Sequence, residues 1–333
     1  MSASTSTELR HLSEALNVAS VEKTESIQTL WSSYGELYRI RTSSDTQTNL
    51  IVKSVHLPKH TKHPRGWSGK LGHERKIRSY EVESTWYRDY APKFASLCPM
   101  PTALHLDSHE HGFLLVLSDL DAAGYSARPT SLENNDLTPY LSWLATFHAL
   151  GLTSSIEGLW NPGSYWHLET RPDELEAISD DRLKHYAPTI DRELRQARFQ
   201  TIIHGDAKLA NFCVNAREAQ VAMVDYQYVG RGCGIQDVAY FLSSALSPDD
   251  CAVREKEALS IYFTALEAAI MRHQPTLNAT QVVEEWQHLY SWAWADFVRF
   301  LAGWAPHHYK IDRYSLQLTE DVLRMLEKRE KQL

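Results

Sequence analysis

Cysteine is scarce in this chain. Its four copies, Cys98, Cys213, Cys233 and Cys251, are spread along 333 residues and form no C-x-x-C pair. With neither close spacing nor an apolar leader, they are expected as reduced core thiols, not as a disulfide frame or a zinc site. Long apolar runs are missing too. The start, MSASTSTELRHLSEALN, has no apolar leader core, and no later stretch would span a bilayer. The expectation is a cytoplasmic protein with no membrane partner. An excess of positive charge is also absent, with 34 Lys and Arg against 42 Asp and Glu and a formal charge of −8. That balance argues against a nucleic-acid partner, whose phosphates need Lys and Arg. No obligate protein partner is evident. The 16 histidines are plentiful, but His109-Glu110-His111 and His307-His308 lack H-E-x-x-H or helical i, i+4 spacing. They are expected as scattered surface or loop residues.

The texture of the chain changes along its length. After a Ser/Thr-rich start and a short helix near residues 9–16, residues 26–57 carry three runs of β-formers. These centre on Ile27 and Leu30, on Leu37 to Ile40, and on Leu50 to Val52, with turn compositions between them. They predict a three-strand antiparallel meander, with Lys53 at the end of its third strand. The basic stretch 59–70, with Pro64, Gly66 and Gly69, reads as a solvated loop. A helix is expected over 71–90, striped by Ile77, Tyr80, Tyr87 and Tyr90. Glu83 lies on the flank of that stripe, whereas Glu74 and Glu81 point away from it. Two more strands are expected near 103–106 and 113–117, ending at Ser118-Asp119-Leu120-Asp121.

The remainder reads as mainly helical. Thr138-Pro139 suits a cap and first position for a helix over 138–150. Val282, Trp286, Leu289, Ala293, Phe297, Phe300 and Trp304 mark one long buried helix face. Residues 201–225 interrupt the helices as strand, loop, strand, turn, strand. The fold class expected is α+β and bilobal. Residues 1–117 form an N-lobe of five antiparallel strands plus one helix, 118–121 a hinge, and 122–333 a larger, mainly helical C-lobe.

The densest chemical signal is Ile203-His204-Gly205-Asp206-Ala207-Lys208-Leu209-Ala210-Asn211, followed by Val224-Asp225-Tyr226-Gln227. Phosphoryl transfer from a nucleotide needs a carboxylate for the attacking hydroxyl, hard ligands for Mg²⁺ and cations on the phosphates. Asp206 suits the first need. Asn211, five residues on, and Asp225, closing the apolar run 221–224, offer an amide oxygen and a carboxylate suited to magnesium.

H-G-D-x-x-x-x-N followed by D-Y-Q resembles the aminoglycoside phosphotransferase / choline kinase-like superfamily, and most nearly its ecdysteroid-kinase-like (CHK kinase-like) branch. Gly230-Arg231-Gly232-Cys233-Gly234-Ile235-Gln236-Asp237 and Leu117-Ser118-Asp119-Leu120-Asp121 carry the same resemblance. It implies a protein-kinase-like fold with ATP and Mg²⁺ as cofactors and a small-molecule hydroxyl as acceptor. Asp206 would be the catalytic base, and Asn211 and Asp225 the magnesium ligands. Lys53 would hold the α- and β-phosphates, with Glu83, preferred to Glu81, as its helix partner. Gly35 would sit in the hairpin over the phosphates, and Ser118 and Leu120 in the hinge beside adenine. Two features depart from the pattern. The hairpin carries a single glycine, and position 208 is a lysine where the insect-type branch tends to have an aromatic. Lys208 resembles the lysine of Ser/Thr protein kinases that contacts the γ-phosphate, a preformed cation for the transferring group.

Plainer roles are expected around this set. His204 should bond backbone near the loop, Asp237 should cap and brace, and His148 should be a satisfied core histidine. The run 230–234 reads as a turn before a helix. Most aromatics of 286–304 should be core, with Trp292 and Trp294, partly off the stripe, as the better pocket-wall candidates. Asp296 and Arg299 suit an ion pair at i, i+3, the alternative being that Asp296 meets a cationic or hydroxylated acceptor. The alternative from another class is a catalytically silent nucleotide-binding pseudokinase acting as a regulatory module. A hydroxylated apolar metabolite is favoured as acceptor over a polycation, with a choline-like amine in an aromatic cage kept open.

Overall fold

The computed structural model describes residues 3–30, 34–43, 48–57, 69–109, 112–133 and 135–332. The N-terminal part is a five-stranded antiparallel sheet of order β1-β2-β3-β5-β4. Its strands are β1 (Ser20–Thr29), β2 (Gly35–Ser43), β3 (Thr48–His56), β4 (Ala103–His109) and β5 (Gly112–Ser118). Helix α1 (Ala3–Ala15), longer than the helix expected near 9–16, covers one face. Its Leu12 packs with Tyr38, Ile40, Leu50, Val52, Leu114 and Val116. Helix α2 (Gly69–Thr85) covers the other face, where Phe113, Leu115 and Leu117 join the main core. This double cover explains why β5 reads as a continuous apolar run and does not alternate. Lys53 lies within β3, opposite Leu37 and Leu115, and not at the strand's end.

The helix expected over 71–90 is α2, a π-helical turn over Trp86–Tyr90, and α3 (Ala91–Phe94). Of its stripe, Tyr80, Tyr87 and Tyr90 are buried and Ile77 half-buried. Residues 58–68 lie outside the described residues, and so does most of the basic loop.

The second part is mainly helical. Its helices are α4 (Thr138–Gly151), α5 (Pro172–Glu176), α6 (Asp181–Arg195), α7 (Ile235–Ala245), α8 (Pro248–His273), α9 (Ala279–His288), α10 (Tyr290–Trp304) and α11 (Arg313–Glu330). Between α6 and α7 run β6 (Thr201–Ile203), β7 (Phe212–Asn215), β8 (Gln220–Met223) and β9 (Gly230–Gly232). These pair as two short ladders, β6 with β9 and β7 with β8. The segment 230–234 is thus a short strand and a turn before α7.

Three local expectations need correction. Thr138 is inside α4, not its cap, and its N–H donates to the Asp136 carboxylate at 2.8 Å. The long helix face breaks at Leu289 into α9 and α10. Trp292 and Trp294 are fully buried. Helix α10 touches α6, α7 and α11 as well as α9, so leaving the main stripe does not bring a side chain to a cavity. The four cysteines are buried and free. No helix among the described residues is long and apolar enough to cross a membrane.

Candidate active site

The loop after β6 is held from below by one buried carboxylate. Asp237, in the first turn of α7, accepts from the His204 N–H at 2.6 Å and the Gly205 N–H at 3.0 Å. It also faces His148 Nε2 at 3.1 Å, while His148 Nδ1 meets the Tyr262 hydroxyl at 2.8 Å. Asp237 is therefore a brace inside the helix, with Gly234 in the cap position. His148 is the satisfied core histidine expected. Gly205 has φ +76°, and a Cβ there would lie 2.3 Å from Tyr228 O and 2.6 Å from Ser164 N. Only glycine fits this close crossing of three loops. His204 binds backbone, with Nε2 3.1 Å from Val224 O and Nδ1 accepting from the Asp206 N–H at 3.2 Å.

Asp206 emerges from this support nearly buried, at 5% exposure. Its Oδ2 accepts from Lys208 Nζ at 2.9 Å and Asn211 Nδ2 at 3.1 Å. Its Oδ1 is buried with no hydrogen-bond partner among the described residues. An orphaned carboxylate oxygen is costly unless a ligand meets it. Burial pushes the Asp206 carboxyl above the usual aspartate range, although Lys208 pulls against it. Asn211 Nδ2 also donates to Asp206 O at 2.8 Å. With its NH₂ engaged on Asp206, its carbonyl oxygen remains as a ligand atom.

Asp225 follows β8 with φ +70°, a left-handed conformation uncommon for a non-glycine residue. Its Oδ1 lies 3.3 Å from Lys53 Nζ. Lys53 Nζ in turn donates to both oxygens of Glu83, at 2.7 and 2.9 Å. The Lys53 ammonium is raised because Glu83 and Asp225 outweigh its burial. Burial alone would raise Asp225, but Lys53, Lys76 and Lys208 together hold its carboxyl down at about 2. Glu81, by contrast, is exposed and pairs with Arg78 at 3.3 Å.

These residues divide between two cavities that meet. The first, about 520 Å³, is lined by Lys53, Glu83, Ser118, Leu120, Asn211 and Asp225 among others. Its apolar walls include Ile27, Leu37, Ile51, Leu117 and Val224, a slot fit for a planar base. At its edge, the Ser118 N–H donates to Thr102 O and Leu120 O accepts from the Tyr125 N–H, both at 2.9 Å. Arg39 ties β2 to this edge through Asp119 and Asp121, both at 2.6 Å. Gly35 does not line either cavity. It is glycine because a Cβ would sit 1.9 Å from Ser54 O across the β2–β3 ladder. Residues 31–33 of its hairpin lie outside the described residues.

The second cavity, about 430 Å³, is lined by Asp206 and Lys208, and it shares Lys76, Asp225 and Gln227 with the first. Phe297, Phe300 and Trp304 form its aromatic wall with Tyr165, Tyr228 and Tyr240. The pocket wall is thus made by members of the main stripe, not by Trp292 and Trp294. Asp296 is outside it, held by Arg299 and by Trp166 Nε1 at 2.8 Å. Lys76 is a site residue the sequence reading missed. Its Nζ donates to Gln227 Oε1 at 2.6 Å and lies 4.6 Å from the centre of the Tyr80 ring. Burial beside Lys53 pulls its ammonium down to about 8. The signal was available, since Lys76 precedes Glu83 by two helical turns and shares its face.

Against known proteins, residues 163–274 match the family model of the Ecdysteroid kinase-like family. A choline kinase from Cryptosporidium parvum superposes with TM-score 0.53 and 11% identity, over 96% of this chain and 97% of that one. The choline kinase LicA from Streptococcus pneumoniae gives TM-score 0.51 and 12% identity, over 98% and 100% of the two chains. The two-part architecture described above is the kinase-like fold of these two choline kinases, as the motifs of 204–227 imply. An aminoglycoside-3'-phosphotransferase of type VIII is also similar, at 17% identity over 84% of this chain and 98% of that one, with TM-score 0.43. No curated protein matches in sequence.

Proposed function

We propose that this chain is an ATP- and Mg²⁺-dependent phosphotransferase that phosphorylates a hydroxyl of a small-molecule acceptor. One observation carries the proposal: two cavities meet at Asp225, and Asp206 lines the second while its buried Oδ1 has no hydrogen-bond partner among the described residues. Nucleotide in the first cavity and acceptor in the second bring a γ-phosphate and a hydroxyl to one junction. Residues 118–121 serve as the hinge between an N-lobe over 1–117 and a C-lobe over 122–333, with Ser118 and Leu120 beside the base. Gly35 belongs to the hairpin on the phosphate side.

In this account Asp206 orients the acceptor hydroxyl and takes its proton as the oxygen attacks the γ-phosphorus. The new O–P bond forms as the bond to the bridging β,γ-oxygen breaks, and ADP leaves with that electron pair. The raised carboxyl of Asp206 suits proton acceptance at neutral pH better than an ordinary aspartate would. Lys53, fixed by Glu83, holds the α- and β-phosphates, and Lys208 supplies fixed positive charge to the transferring group. Lys76 adds a third cation at the same junction. Among the described residues no group of three His, Cys, Asp or Glu side chains could hold a metal ion alone. One carboxylate and one amide oxygen, from Asp225 and Asn211, fit magnesium that arrives with nucleotide phosphates and water as its other ligands. When bound, it neutralises charge on the β- and γ-oxygens.

The test is acceptor-dependent ADP release by the full chain against pooled hydroxylated metabolites, with Asp225→Ala as control. Turnover with some pool, and loss of magnesium-dependent nucleotide binding in Asp225→Ala, are expected. Nucleotide binding without transfer to any pool would favour the silent regulatory module. Intact magnesium-dependent binding in Asp225→Ala would remove that residue from the metal site.

A further inference from the structure

Away from the junction, the second cavity carries three more cations, Arg75, Arg171 and Lys310. Its only lining carboxylates, among the described residues, are Asp206 and Asp225 at the junction itself. The three cations are not equivalent. Arg171 serves the fold, donating through Nε and Nη2 to Tyr165 O at 2.8 and 2.5 Å and through Nη1 to Glu174 at 3.0 Å. Arg75 gives one Nη1 donor to Thr170 O at 2.7 Å and forms no ion pair among the described residues. Burial and the nearby Arg171 work against its charge and outweigh the opposite pull of Tyr228, Glu174 and Asp173.

Lys310 feels this conflict more. It is buried, at 8% exposure. Among the described residues its ammonium makes one hydrogen bond, a long one, 3.4 Å to Ser243 Oγ. Its ammonium lies 4.9 Å from the Tyr240 ring centre and 5.6 Å from that of Phe297. Asp206 acts on it only from beyond ion-pair distance, and a buried ammonium without a paired carboxylate is costly, a cost that a ligand's negative charge would offset. The aromatic rings beside it offer flat apolar faces to the ligand's body. A cage of such rings would suit a quaternary ammonium if the surrounding charge were negative. Here it is positive.

We propose that the acceptor is a hydroxylated ring compound bearing an anionic group, which Lys310 and Arg75 bind while Phe297, Phe300 and Tyr240 hold the ring. This rests on the phosphotransferase reading only in directing the hydroxyl to Asp206. The same charges disfavour a choline-like amine or a polycationic sugar. Lys208 does not serve this role, because Asp206 already pairs it at 2.9 Å.

The test measures binding, so it does not depend on turnover. The full chain, saturated with magnesium and a non-hydrolysable ATP analogue to occupy the first cavity, is titrated by calorimetry. The ligands are para-(hydroxymethyl)benzoate, its methyl ester and para-(hydroxymethyl)benzylamine. The benzoate should bind about tenfold more tightly than the ester, and the amine more weakly than either. Lys310→Met and Arg75→Gln, made separately so that misfolding of one leaves the other informative, should each shrink the benzoate preference to about threefold or less with ester affinity unchanged. Equal or tighter binding of ester or amine, no binding of the benzoate, or an intact preference in both variants would overturn the inference. ADP release with the same ligands separates the two claims. Benzoate preference without transfer would sink the phosphotransferase reading alone, and transfer confined to ester or amine would sink this one alone.

Discussion

Lys53→Met should destabilise the protein more than Glu83→Leu, and the double variant should recover most of the loss. Lys53 and Glu83 are 6% and 1% exposed and make two short hydrogen bonds with each other. Removing one partner of such a buried pair typically costs about 3–5 kcal/mol, because the other charge is left uncompensated. The two removals differ in what remains. Without Glu83, Lys53 still faces Asp225 at 3.3 Å. Without Lys53, the Glu83 carboxylate is buried near Asp225, a like charge, with Lys76 as its remaining cation. Lys53→Met should therefore fall in that full range and Glu83→Leu lower, at about 2–3 kcal/mol. Combining Lys53→Met with Glu83→Leu removes both charges, and that variant should lie within about 2 kcal/mol of the parent. Urea unfolding followed by tryptophan fluorescence across the four-member cycle measures this coupling. Single losses that simply add would refute the account of a charge pair compensated internally. Nucleotide affinity should fall in all three variants, including the stable double one.

Three further outcomes follow from the same geometry. Lys76 loses its proton near pH 8 in the folded chain, well below the ordinary 10.5. If its charge serves the phosphates, kcat/KM for ATP should decline as pH rises through about 8. Lys76→Arg, permanently charged, should move that limb upward. An unmoved limb would assign it to another group. Stability should respond in the opposite sense. Between the folded and the ordinary value the unfolded chain binds the extra proton, so this lysine's contribution makes stability rise with pH. Asp237→Ala, which leaves the His204 and Gly205 N–H groups and His148 without their shared acceptor, should cost about 3 kcal/mol or more and abolish turnover. A soluble Asp237→Ala protein with parental stability, measured by urea unfolding, would contradict the brace.

The part of the site that is legible in the sequence is the part the chain builds locally. Asp206, Lys208, Asn211 and Asp225 belong to one strand-loop-strand-turn-strand segment, so their spacing nearly dictates their meeting. Lys53 and Glu83 are legible through the two simplest periodicities, a strand after two hairpins and a helix face. The same helical argument, extended two turns back from Glu83, reaches Lys76. The acceptor side is different. Arg75, Arg171 and Lys310 come from a helix, a short loop and a segment beyond α10, and no local rule relates them. The aromatic run shows why a stripe argument fails in a thick helical layer. Helix α10 is packed on several sides, so Trp292 and Trp294 are buried off the stripe, while Phe297 and Phe300 on it line a cavity. The break at Leu289 escapes notice for a related reason, since α9 and α10 both keep the apolar stripe across it.

Proton acceptance by Asp206 during phosphoryl transfer is the central claim, and Asp206→Asn tests it most directly. The amide keeps the side chain's shape but cannot take the proton. With any acceptor that the parent phosphorylates, single-turnover transfer should fall by about 10²–10⁴-fold, while nucleotide affinity stays within about threefold of the parent because Lys53, Asn211 and Asp225 are untouched. Transfer at the parental rate in Asp206→Asn would contradict the account.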